Sequence, residues 1–110
     1  MHGRCSLRLT RRFVEPPAEV WRALTDPESL ARWLRPGFDV PQAEVERGRR
    51  LELDWRPPGE ESSVVRIELT PDGDGTMLVL DHSRIQADRG MRGLRFWTSA
   101  LERLPLRRPA

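Results

Sequence analysis

Two side chains sit where their types could do chemistry. In Ser6–Val14, Leu7, Leu9 and Phe13 alternate onto one face of a strand, and Arg11 falls among them. In Thr76–Ser83, Leu78 and Leu80 share a face with His82, opposite Met77, Val79 and Asp81. An ionisable group on an apolar face is costly unless it is paired or opens onto a wet cavity. Arg11 suits a ligand carboxylate or phosphate; a salt bridge or a strand end open to water explains it equally. Histidine titrates near neutrality and makes a good general base. Yet no Ser, Cys and acid arrangement accompanies His82, and His2 is terminal. The four tryptophans supply large apolar area, each with a polar N–H. They either fill a core or line a pocket.

Other motifs carry less. Cys5 is the sole cysteine, so no internal disulfide forms, and no base stands near it to activate the thiol. Pro71-Asp72-Gly73-Asp74-Gly75 has the acids of a calcium loop without the ligand spacing or the closing Glu. It reads as a turn, and neither a metal nor a cofactor is expected.

These residues need a scaffold. The 110 residues are 37% hydrophobic and 33% charged, enough for one core and one domain over 1–110, ordered from about 6 to 104. No apolar run spans a membrane or resembles a signal peptide, so a cytoplasmic protein is expected. Every basic residue is Arg, while Lys, Asn and Tyr are absent, which gives a sequence pI of 9.8 at a net charge of only +2. That usage fits a GC-rich bacterial genome. Arg alternates with acid along the chain instead of clustering, so no nucleic-acid partner is expected.

The pattern predicts a strand over Ser6–Val14, stopped by Pro16 and Pro17. A short helix over Ala18–Leu24 follows, with Val20, Trp21 and Leu24 as its stripe. Asp26 caps a second helix that starts at Pro27 and runs to about Leu34. Phe38–Arg50 offers one short edge strand. Leu51, Leu53 and Trp55 define another strand, Ser63–Thr70 a third and Thr76–Ser83 a fourth. A helix over Gly90–Leu104 closes the chain, with Leu94, Trp97, Leu101 and Leu104 in register. The class is α+β, with the last helix lying across a curved antiparallel sheet.

The run from Arg12 to Pro27, with its Pro-Pro turn, Val20-Trp21 helix and Thr25-Asp26-Pro27, resembles the activator of heat-shock-protein-90 ATPase homologue family. That family belongs to the START-like (SRPBCC) helix-grip superfamily. Leu30 to Leu34, Arg50 to Trp55, Gly73 to Thr76 with Leu78, Leu80 and His82, and Trp97 with Leu101 and Leu104 extend the similarity to about three quarters of the chain. Relatives place several strands between the helix pair and the late central strand, and this chain has too few residues there. The resemblance therefore implies a shortened sheet and a shallow or open cavity, lined by Trp33, Trp55, Leu78, Leu80, His82, Leu94 and Trp97, with Arg11 as the polar candidate. It implies a non-catalytic domain that binds a small hydrophobic molecule. The alternatives are a co-chaperone-like protein-interaction module and a small cyclase- or hydrolase-like enzyme. The shortened middle also leaves a bare sheet edge near Phe38–Arg50, either blunted by charge and Pro41 or used in a homodimer, which is the expected state.

Overall fold

The computed structural model describes residues 3–33, 42–55, 63–86 and 90–109. Strand β1 (Arg4–Phe13) leads into helices α1 (Pro17–Thr25) and α2 (Pro27–Trp33). Strands β2 (Gln42–Glu46), β3 (Arg50–Trp55), β4 (Ser63–Asp72) and β5 (Gly75–Gln86) follow, and α3 (Gly90–Glu102) completes the order. The strands form one antiparallel sheet in the order β1-β5-β4-β3-β2. Among the described residues a single strand, β2, stands between the helix pair and β3, as the short middle predicts. It is also an edge.

Alternation decides which face is buried. Leu9, Phe13, Leu51, Leu53, Val65, Ile67, Leu69, Leu78 and Leu80 all point inward and are buried. Helix α3 covers them with Trp97, Ala100 and Leu101. It ends at Glu102, two residues short of the predicted Leu104, which still packs inward from the turn that follows. Helices α1 and α2 add Val20, Leu24 and Trp33. The outer face is a charge ladder. Arg8, Asp81, Arg66 and Glu52 lie in register across four strands. Arg8 Nε is 2.7 Å from Asp81 Oδ1, and Arg66 Nε is 3.2 Å from Glu52 Oε2. Such exposed pairs stabilise little individually. Their alternating signs keep this face in water.

Three local features depart from simple alternation. Strand β5 runs past Ser83 to Gln86 because of a β-bulge. The pairing steps from Leu7↔His82 to Cys5↔Ile85, so Ser83 and Arg84 together oppose Ser6. Arg84 takes φ 61° there, and Ile85 returns to the buried face. The β4–β5 turn is tighter than the Pro71–Gly75 segment suggests. Both strands extend to the Asp72↔Gly75 pair and leave two residues at the tip, with Gly73 at φ 61°. Pro71 is tolerated in β4 because β3 pairs no further along it than Glu68.

The helix pair forms as predicted, but not by the predicted bond. Asp26 is extended at φ −63°, ψ 131° and separates α1 from α2. Its backbone carbonyl accepts the Leu30 N–H at 2.8 Å. Its carboxylate is exposed and makes no capping hydrogen bond among the described residues.

The tip of the β4–β5 hairpin packs under the β1–α1 link. Thr76 Oγ1 donates to the Glu15 carbonyl at 2.8 Å. Gly75 lies so close to the Phe13 carbonyl oxygen that a Cβ there would collide with backbone. Gly75→Ala should therefore destabilise the fold by about 1–3 kcal/mol, a typical cost of overpacking a tight site. Urea denaturation checks this, and a variant as stable as the parent would refute the close approach.

Candidate functional site

The inner face carries one buried polar chain. His82 projects inward from β5, in phase with Leu78 and Leu80, and is 4% exposed. Ser63 opens β4 in phase with Val65 and Ile67 and is also buried. Trp97 comes down from α3. Its Nε1–H donates to His82 Nδ1 at 2.8 Å, while His82 Nε2 lies 2.7 Å from Ser63 Oγ. The two rings meet edge to face, with centroids 5.8 Å apart at 87°. Phe96 and Trp33 flank the same indole at 5.0 Å and 6.3 Å.

This chain fixes the chemistry of the imidazole. An indole nitrogen can only donate, so Nδ1 must be the acceptor. A neutral His82 then keeps its proton on Nε2 and donates it to Ser63 Oγ. A serine nucleophile requires the reverse, with a bare imidazole nitrogen taking the hydroxyl proton. Ser63 and His82 resemble a catalytic pair in distance and oppose one in polarity. Burial also pushes the His82 pKa down to about 4, since desolvation penalises the imidazolium.

The structure brings together most residues singled out in the sequence. Trp33, Leu78, Leu80 and Trp97 have zero exposure, so no water-sized space touches them. Leu94 is half-buried at the rim. The Trp55 backbone pairs with Ser63, and its side chain lies outside the described residues. Arg11 is half-buried on the inner face. It donates from Nη1 to the Thr10 carbonyl at 2.9 Å, and its buried Nε has no partner among the described residues. The Trp33 indole N–H is buried and likewise has no acceptor among the described residues. Ser63 was readable from the β4 alternation, which puts it in phase with the core. Arg103 gives no such signal. It donates from Nε to the Arg32 carbonyl at 3.3 Å and from Nη2 to the Trp33 carbonyl at 2.9 Å, which ties α3 to the end of α2.

His82 makes stability depend on pH with a definite sign. Above about pH 6.5 the imidazole is neutral in both folded and unfolded chains, and its contribution is complete. As pH falls from there toward about 4, the unfolded chain takes up a proton that the folded chain refuses, so stability drops. Between pH 7.5 and 5.0 the parent should lose about 2 kcal/mol more than His82→Gln in urea denaturation. Equal losses would refute a desolvated, neutral His82.

Known proteins share this architecture. CalU16 from Micromonospora echinospora superposes with a TM-score of 0.79 at 27% identity, over 93% of this chain and 80% of that one. An HSP90 activator from Plasmodium falciparum matches at TM-score 0.72 and 20% identity, over 88% of this chain and 91% of its own. DynU16, a protein of the dynemicin biosynthetic locus, matches at 0.76 and 23%, over 89% of this chain and 45% of its own. No curated protein matches. The model of one family, activator of Hsp90 ATPase homolog 1-like protein, matches residues 15–47 and 42–105. Strand order, helix pair, closing helix and sequence therefore agree, and the chain belongs to the activator of Hsp90 ATPase homolog 1-like family.

Proposed function

We propose that this domain is a non-catalytic binder of a small, largely apolar molecule carrying one hydrogen-bond-accepting oxygen. The observation that carries the reading is the Trp33 indole N–H, which is buried inside the grip without an acceptor among the described residues. A buried donor left unpaired costs about 1–3 kcal/mol. A ligand oxygen at that nitrogen would remove the penalty, and Arg11 Nε is a second unpaired donor on the inner face. The walls around Trp33 and Trp97 are aromatic and aliphatic, which suits a flat apolar body.

Zero exposure at Trp33, Leu78, Leu80 and Trp97 means the ligand must displace side chains as it enters. Leu7, Leu30 and Leu94 are only half-buried and form the part of the rim able to move. Catalysis is disfavoured by the direction of the Ser63–His82 hydrogen bond. The fold alone does not decide between settings, since its neighbours include an HSP90 activator and a biosynthetic-locus protein. The unpaired indole favours a small molecule over a protein partner, because it lies beneath the surface.

Matched polycyclic aromatics with and without a ketone test this by thermal shift and tryptophan fluorescence. The ketones should stabilise the protein. Trp33→Phe should bind them about tenfold more weakly and leave affinity for the parent hydrocarbons unchanged. A broad panel with no stabilising member, or ketone affinity unchanged by Trp33→Phe, would overturn the proposal. The expected homodimer would form by pairing the outer edge of β2 with a second copy. Sedimentation at several concentrations should show association, and a monomer that persists at high micromolar concentration would exclude it.

A further inference from the structure

Most arginines on the sheet and at the chain's ends are matched to acids. Arg8, Arg12, Arg49, Arg50, Arg66, Arg107 and Arg108 each have a carboxylate within 4 Å. The solvent side of α3 differs. Arg92, Arg95, Phe96 and Ser99 fall at helical spacing on one stripe and, with Arg103 just past the helix end, wall a groove of about 310 Å³. Among the described residues no acid contributes to that wall. Arg92 and Arg95 are exposed and have no ion-pair partner among the described residues.

Arg103 is held in place within the groove. Its Nε and Nη2 are committed to the Arg32 and Trp33 carbonyls. A guanidinium has five N–H donors, so three remain on a group already immobilised. Phe96 is half-buried, and its ring is fixed edge to face on Trp97 at 87°. The groove thus combines three guanidiniums, a hydroxyl and an anchored aromatic ring. We propose that it binds a phosphate monoester carried on an aromatic or apolar group. The dianion would sit among Arg92, Arg95, Arg103 and Ser99, and its organic part against Phe96. Three guanidiniums with no ion pair among the described residues favour a dianion over a monoanion, and the guanidinium fork matches phosphate oxygens. The site lies on the opposite side of α3 from the grip, so it does not depend on a ligand there.

Calorimetric titration with phenyl phosphate near pH 7.5, where the ester is mainly a dianion, tests this. Phenyl phosphate should bind more tightly than inorganic phosphate, and phenol should not bind. Arg92→Gln/Arg95→Gln should weaken binding at least about tenfold without changing the melting temperature, since both side chains are exposed. Phe96→Leu should remove the advantage of phenyl phosphate over inorganic phosphate. Raising the ionic strength from roughly 50 to roughly 300 mM should weaken binding. Affinity unchanged in the double arginine variant would overturn the proposal. So would tighter, Arg92-dependent binding of a glutamate-rich peptide, which would make the stripe a surface for an acidic protein segment.

Discussion

Helix α3, helix α2 and the sheet meet at the indole of Trp97. The ring is fully buried, with Trp33 on one side, Phe96 on another and His82 beneath its nitrogen. A chain of this length with one cysteine has no covalent staple, so its sheet must be closed by packing alone. Only one face of that sheet is apolar, and α3 covers it together with α1 and α2. The Trp97–His82 hydrogen bond adds direction to this contact. It sets the angle at which the helix enters and, through the imidazole, reaches Ser63 on the neighbouring strand. Arg103 makes the second tie, between α3 and the last carbonyls of α2. The two helical layers are therefore fixed to each other as well as to the sheet.

The same contact limits the chemistry. A carboxylate in the place of Trp97 would accept from Nδ1 and leave Nε2 able to take a proton. An indole does the opposite. Replacing an acceptor by a donor reverses both hydrogen bonds of the imidazole and turns an apparent catalytic pair into a structural brace. Burial then keeps the imidazole neutral, because desolvation penalises its charged form. The polar chain costs desolvation, and full pairing offsets that cost. Trp33 is the counterexample in the same layer, a donor enclosed without an acceptor among the described residues.

Charge is distributed with comparable economy. On the sheet, the register places Arg and acid side by side across four strands, so the long-range field is weak despite many ions. On α3 the helical period gathers Arg92 and Arg95 onto one stripe, which Arg103 continues past the helix end, away from the inner stripe of Trp97 and Leu101. The same composition gives a self-neutralising surface in one element and an uncompensated one in the other.

Periodicity made most of the architecture legible. The period-two runs at Leu7–Phe13, Leu51–Trp55, Val65–Leu69 and Leu78–His82, and the helical stripe Leu94-Trp97-Leu101-Leu104, are local properties of the chain. So are the Pro-Pro stop and the Thr-Asp-Pro break, where removal of an N–H decides the outcome within a few residues. Other features were not local. The bulge that carries β5 past Ser83 exists because β1 pairs with β5, some seventy residues apart in the chain. Gly75 is required by a carbonyl of Phe13. The sequence by itself determined which residues turn inward and that His82 and Arg11 would be among them. Only the tertiary structure decided what each would meet there. A hydrogen bond's direction depends on its partner, and the partner of His82 is supplied by a helix that the strand's own pattern cannot specify.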